Sequence, residues 1–452
     1  MLKSRTRPVF LLFFFLFPVL TPVGGFAQTS AFVWTLQEAV QQALKNNPDI
    51  TTTQARIQQA EANLIESKAA FYPQLSISGG YTRTDNPMYS FGNILNQGQF
   101  SEGIDFNKPG TTDAFLGQIM LKYQLYNGGQ DKAVYKTAEL QKEAALAQEM
   151  AIKNNLSYEV IRAYYTILAA NDTLRARELA LAAIKKALGQ AQVRYQAGTL
   201  LKEEVLLLQT EDAHAEEMLI QAEHGKRLAE QGFLLLLGEE PGPGLRLAYN
   251  KNEAPVIPVS PPSGQRLELN VLDKLIAAQE FALDGAKSAR YPKAEAFGSY
   301  QVEQGTEIDQ GSGDSWTAGL RLNYTVFDGH RVAAAIQAEQ AKLLELHAQR
   351  HKMALALAME AEQARLNVDE ETKKLATSSL RLQSSRENSR LTRIRFQEGL
   401  CTSTDFINSE NRLTDAETGY ALTSYALHIA AAQLRKSYGL PLFGHRQERE
   451  QP

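Results

Sequence analysis

The chain contains itself twice. Val193, Arg194, Tyr195, Gln196, Ala197, Gly198 and Thr199 return as Ile394, Arg395, Phe396, Gln397, Glu398, Gly399 and Leu400. That is an offset of 201 residues, with Arg, Gln and Gly matched in place. Residues 117–126 align with 318–327 at the same offset, Asn127-Gly128 with Asp328-Gly329, and Leu237-Gly238 with Tyr438-Gly439. Further upstream the offset becomes 219, so Tyr72-Pro73 meets Tyr291-Pro292, Gly79 meets Gly298 and Tyr81 meets Tyr300. The change of 18 residues falls inside one loop, longer in the first copy. Such repetition constrains the fold before any local propensity is weighed.

Each copy alternates two periodicities. Trp34 to Asn47 has helical spacing through Leu36, Val40 and Leu44, and Pro48 opens a second helix running to about Ala70. After Tyr72-Pro73 the period becomes two. Leu75, Ile77, Gly79 and Tyr81 share one strand face, as do Phe115, Gly117, Ile119, Leu121, Tyr123 and Leu125 on the next strand. The second copy repeats this with Trp316, Ala318, Leu320, Leu322, Tyr324 and Val326, and polar residues fill the opposite faces. Apolar-out, polar-in strands of this length, with aromatics near their ends, carry the pattern of an outer-membrane β-barrel. A soluble hairpin with one face on a core would show the same alternation; if these strands span a membrane, four cannot close a barrel and open edges are forbidden in lipid, so several chains must share one. The stretches between paired strands, 83–113 and about 304–315, are rich in Gly, Asn, Asp and Ser and read as exposed loops.

From Gly128 the chain is helical for nearly 70 residues, about 100 Å at 1.5 Å per residue. Val160, Ile167, Leu174, Leu181, Leu188 and Tyr195 recur every seventh residue. In copy two Val368, Leu375, Leu382 and Phe396 do so, with Ser389 as an interruption. Such spacing imposes left-handed supercoiling, and pairing with the return helix gives an antiparallel coiled-coil arm. Gly198 and Gly399 end the outgoing helices in the left-handed conformation, so Gly198-Thr199 and Gly399-Leu400 are hairpin tips. The proline-rich stretch 239–265 reads as a linker between a first repeat, 28–238, and a second, 266–440, with a loose tail at 441–452.

The formal charge of −4 lacks the basic excess of a nucleic-acid binder, and one cysteine, Cys401, allows no disulfide within the chain. Residues 1–27 read as a secretory signal peptide: Lys3, Arg5 and Arg7, an apolar run, then Gly25-Phe26-Ala27 at the cleavage position.

The chain resembles the TolC-like outer-membrane efflux proteins over essentially its whole mature length. The resemblance rests on Leu36-Gln37-Glu38-Ala39 with Asn46-Asn47-Pro48, the two Tyr-Pro pairs, Tyr126-Asn127-Gly128 with Phe327-Asp328-Gly329, and the duplicated Arg-x-x-x-Gly tips. It implies a homotrimer whose twelve-stranded outer-membrane barrel, four strands per chain, continues as an α-helical coiled-coil tunnel through the periplasm. Such a tunnel receives cargo from an inner-membrane transporter through a periplasmic adaptor, and the tips meet that adaptor. It also implies acids around the tunnel mouth six and nine residues after the second tip glycine. Here those positions hold Asp405 and Asn408, and six after the first tip glycine stands Glu204. Where family members lock the mouth with a tyrosine and an arginine, this chain has Phe396 and Cys401, so that lock does not carry over. Asp405 has a second reading, as an acid complementing the dipole at its helix start.

Two rival classes are weaker. His347 and His351 stand four apart on a helix, but a zinc-protease motif needs Glu where Ala348 stands, and no nucleophile–base signature surrounds Cys401. Neither an enzyme nor a cofactor is expected. A periplasmic coiled-coil scaffold or adaptor without a pore would explain the arms and the signal but not four lipid-facing strands.

Overall fold

Thr35 starts the first helix by a capping box. Its hydroxyl accepts from the Glu38 amide at 3.2 Å, and the Glu38 carboxylate accepts from the Thr35 amide at 2.9 Å. In a computed structural model, which describes residues 33–242, 245–248, 254–259, 266–306 and 310–442, this helix, α1, spans Leu36–Asn46 and follows a short strand β1, Val33–Trp34. Asn47 then serves two elements. Its side-chain oxygen accepts from the Asp49 amide (2.8 Å) to cap α2, Pro48–Lys68. Its amide nitrogen donates to the Leu236 carbonyl at 2.9 Å.

Strand β2, Gln74–Thr84, leads through helix α3, Pro87–Asn96, to strand β3, Thr112–Tyr126. Two long helices follow, α4 (Gln130–Gln196) and α5 (Lys202–Leu237), then strand β4 (Arg246–Leu247). The second half runs α6 (Leu267–Ser288), β5 (Lys293–Gln304), β6 (Ser312–Asn323), α7 (Arg331–Gln397) and α8 (Ser403–Ser437). Helices α4 and α7 are both 67 residues long, each about 100 Å.

The four long strands form one antiparallel sheet in the order β2-β3-β5-β6. Leu75 faces Leu121, Ile77 faces Ile119, Gly79 faces Gly117 and Tyr81 faces Phe115. Across β5 and β6, Gly298 faces Ala318 and Tyr300 faces Trp316. These residues make one continuous apolar face, and its large side chains are exposed in the single chain. Gln74, Ser76, Ser78, Gln118, Lys122, Ser299, Gln301, Glu303 and Thr317 lie on the other face. The outer edges of β2 and β6 have no strand partner within the chain among the described residues.

Three expectations change. The stretch 83–113 is not an open loop: Asn86 caps α3 by accepting from the Met88 amide at 3.1 Å, Pro87 takes the first helical position, and β3 already begins at Thr112. Strand β6 starts at Ser312 and stops at Asn323, so Tyr324 and Val326 lie beyond it. The linker 239–265 is tied down in part. Its β4 pairs in parallel with β1, and Leu245 and Leu247 pack on a core containing Val40, Val160, Tyr164, Ile167, Phe233 and Leu237. Complete burial of each such side chain is worth about 1.5–3 kcal/mol. The signal peptide and the tail beyond Leu442 lie outside the described residues.

The heptad line of α4 also differs. Val160 and Ile167 are fully buried, but Tyr195 is 44% exposed, and near the tip the buried line is Ile184, Ala187 and Ala191. An unwound α-helix drifts about 20° per heptad, so by Tyr195 the seventh-residue line has rotated off the contact by about 100°. In α7 the line holds, and Ser389 is part of it rather than an interruption. It is completely buried and donates to Glu410 Oε1 at 2.7 Å.

Candidate functional site

The two hairpin tips lie side by side. Each outgoing helix ends in a Schellman motif. The Thr199 amide donates to the Arg194 carbonyl (2.9 Å) and the Gly198 amide to the Tyr195 carbonyl (2.9 Å); the Leu400 amide donates to Arg395 (2.7 Å) and the Gly399 amide to Phe396 (3.1 Å). Gly198 and Gly399 both have φ of +76°, where any other residue is strained by about 1–2 kcal/mol. Leu400 projects into solvent.

Between the hairpins lies an apolar core. Phe396 is 2% exposed and packs on Phe406 with ring centroids 4.7 Å apart, among Ile184, Ala191, Val205 and Leu208. Two charges of the first hairpin reach across to backbone ends of the second. Arg194 Nη1 donates to the Phe396 carbonyl at 3.0 Å and Nη2 to the Gln397 carbonyl at 3.5 Å, the negative end of α7. Glu204 Oε2 accepts from the Ser403 amide at 2.7 Å, the positive end of α8. Farther along, Asn411 Nδ2 donates to Glu211 Oε1 at 2.9 Å. Phe396 thus holds the hairpins together by burial, and Cys401 sits half-buried beside it with its thiol toward the Thr392 carbonyl. Burial pushes the Cys401 thiol above its ordinary pKa.

Asp405 closes a capping box with Thr402. Its carboxylate accepts from the Thr402 hydroxyl (2.9 Å) and amide (3.3 Å), and its own amide donates back to that hydroxyl (3.1 Å). These bonds hold its pKa below the usual carboxylate range, so the stabilisation is complete above the unfolded value and is lost as pH falls through the lowered folded one. Asp405 is nonetheless exposed, and Asn408, Arg412 and Asp415 continue an exposed line along α8 at steps of three and four.

A second ionic group escapes sequence reasoning. Glu410 is 2% exposed, takes Arg393 in a fork (2.7 and 2.6 Å) and also accepts from Ser389. At the offset of 201 the first hairpin has Leu188, Gln192 and Gln209 instead, so this staple belongs to the second hairpin alone. His347 and His351 are both exposed, and no group of three metal-capable side chains exists among the described residues. None of the described helices is long and apolar enough to cross a membrane.

Residues 39–239 and 266–440 match the family model described as outer membrane efflux protein. The chain belongs to the outer membrane efflux protein family. It is therefore an outer-membrane efflux channel with a periplasmic helical portion. It is 22% identical over 425 residues to the outer membrane efflux protein BepC of Brucella suis, covering 88% of this chain and 86% of that protein. It is also 22% identical to the pyoverdine export outer membrane protein OpmQ of Pseudomonas aeruginosa, covering 90% and 84%. Among solved structures, the channel OprN superposes with a TM-score of 0.76 at 18% identity over 89% of both chains. The CmeC outer membrane channel of Campylobacter jejuni gives 0.76 at 15% identity, over 89% of this chain and 85% of that one. These likenesses make the fold that of a TolC-like channel.

Proposed function

We propose that three copies of this channel share a twelve-stranded barrel and a helical tunnel, each copy being one unit used twice. The division is 28–238 and 266–440, joined by 239–265, after removal of the signal peptide 1–27. The observation that carries this reading is what the single chain leaves uncovered. Helix α4 packs against α2, α5, α6 and α8, whereas its counterpart α7 packs against α6 and α8 and leaves Leu344, Leu355, Met359 and Leu366 exposed. By the offsets, the two neighbours α7 lacks are α2 and α5 of the next copy. The sheet repeats the argument: β2 and β6 are free edges with a lipid-ready face, and edges in lipid must pair.

In this reading the tips Gly198-Thr199 and Gly399-Leu400 dock a periplasmic adaptor, and an inner-membrane transporter delivers small molecules or proteins. The exposed line on α8 faces the tunnel axis, so three Asp405 carboxylates ring the mouth and select cations, with Asn408 as an uncharged second ring. Glu204, engaged on Ser403, stands beside the ring. The capping box and the ring are compatible, since Asp405 keeps its charge while bonded to Thr402.

Planar-bilayer recording of the purified trimer tests both layers. Long-lived, cation-selective steps blocked by trivalent cations from the periplasmic side are expected, and Asp405→Asn should abolish the block. In Thr402→Ala the block should disappear at a higher pH than in the parent, because the hydroxyl bond, the largest of those that lower the Asp405 pKa, is gone while the bond from the backbone amide remains. An intact trimer without steps would sink the channel reading. Steps whose block survives Asp405→Asn would leave this acid as a helix cap only.

A further inference from the structure

The extra length of the first copy is a folded object with a defined seat. Residues 96–99, at the end of α3 and just past it, lie across three glycines of the second copy. A Cβ on Gly313 would stand 1.9 Å from the Asn96 carbonyl oxygen, one on Gly311 2.4 Å from Gln99 Cγ, and one on Gly305 1.9 Å from Gln97 Oε1. None of the three has positive φ, so these glycines are set by space and not by conformation. Gly313 pairs with Glu303, and Glu303 with Leu116, which places the seat on the polar face of the sheet. Hydrogen bonds fix it there: Asn96 Nδ2 donates to Glu303 Oε1 (3.2 Å), Asn93 Nδ2 to Thr112 Oγ1 (3.0 Å) and the buried Gln97 Nε2 to the Asp113 carbonyl (2.7 Å). Asp113 in turn accepts from the Thr306 amide (2.8 Å) and hydroxyl (2.6 Å), which ties Thr306, just past β5, to β3.

The polar face of such a sheet is the lumen side, and this end is the one opposite the helices. Toward the sheet α3 buries Ser90, Ile94 and Gln97. Away from it the segment exposes Met88, Tyr89, Leu95, Phe100 and Phe106, with Phe91, Phe100 and Phe106 in mutual ring contact at 4.5–6.3 Å. An apolar surface on the water-filled side of a barrel has no lipid to meet. We infer that this segment is a lumenal plug: its Phe91–Phe100–Phe106 cluster meets the same cluster of the other two copies and forms an apolar constriction at the outer mouth that sets the size of what leaves. Occupancy by another copy is favoured because the segment is fastened to the inner face, where symmetry alone brings further apolar surface. The inference rests on the trimeric barrel proposed above.

The test reads access from outside, independently of the tips. Ser299→Cys, on the polar face two residues deeper than Gln301, is made in a Cys401→Ser background and labelled on intact cells. A small impermeant maleimide should react with the parent and with both plug variants, Phe100→Ser/Phe106→Ser and Gly313→Val. A bulky impermeant maleimide should react with the parent on the order of tenfold more slowly than with either variant, about 1.4 kcal/mol of barrier. The serine variant alters exposed rings, and the valine variant displaces the backbone at the seat, so the two fail for different reasons if either misfolds. In parallel, Phe106→Cys in the same background should give oxidative two-chain products in native membranes. Equal bulky labelling of all three proteins, with chains still crosslinked by Leu320→Cys and Tyr81→Cys at the outer edges of β6 and β2, overturns the plug alone. Equal labelling without that edge crosslink overturns the shared barrel as well.

Discussion

A double Gly198→Val/Gly399→Val variant is expected to insert in the outer membrane and form its barrel, yet to export nothing. Both glycines hold φ of +76° at Schellman ends, and a β-branched residue there costs about 1–2 kcal/mol or more at each tip, the penalty of a left-handed backbone. At Gly399 the added Cβ would also stand 2.4 Å from Arg194 Nη2, so the Arg194 contact with the α7 carbonyls must be displaced. The tips are remote from the sheet, so assembly is spared while the docking surface is reshaped. Measuring export beside heat-resistant oligomer on gels separates the two. Normal export with the double substitution would remove the tips from the adaptor interface.

Arg194→Ala/Glu204→Ala is expected to have the opposite sign, a channel that opens too easily. Both side chains belong to the first hairpin and hold the two backbone ends of the second. Hydrogen bonds to charged groups contribute about 1.5–3 kcal/mol each when partly desolvated, so if the two hairpins must part for the mouth to open, losing both favours opening by roughly tenfold or more. The expected readouts are a larger mean conductance and sensitivity of cells to bulky hydrophilic toxins. Glu410→Gln within the second hairpin gives the contrast. It weakens the buried staple that Glu410 forms with Arg393 and Ser389, and should lower thermal stability without raising conductance. Unchanged conductance in the double alanine variant would reduce Arg194 and Glu204 to helix caps.

The order of helices and strands was legible because both periodicities are local patterns that survive in one dimension. The Arg-x-x-x-Gly tips, the Tyr-Pro strand starts and the alternation of Leu75, Ile77 and Tyr81 with polar residues all lie where the pattern places them. The tip contacts were not legible, since they join residues about 200 apart in sequence. Arg194 was visible as a motif residue, but nothing local says that it reaches the Phe396 carbonyl. Phe396, which has no hydroxyl, is buried in the apolar cluster between the hairpins. Ser389 breaks an apolar line on paper and completes it in space, because Glu410, itself held by Arg393, satisfies its hydroxyl in the core. The long insertion looked like a loop because its Gly, Asn and Ser content is that of turns. Asn86-Pro87, an N-cap followed by proline, was the signal that a helix begins there.

The shared barrel is tested most directly at the two free strand edges. If β6 meets the next copy's β2 as β3 meets β5, Leu320 stands opposite Tyr81 and Leu322 opposite Gly79. Leu320→Cys/Tyr81→Cys in a Cys401→Ser background should then crosslink in native membranes into a closed three-chain species, with dimers as the only intermediate. Moving one cysteine by a residue, to Arg321→Cys with Tyr81→Cys kept, points the thiols to opposite faces and should abolish the product. A monomeric, detergent-stable protein that conducts at full size without any crosslink would contradict the account.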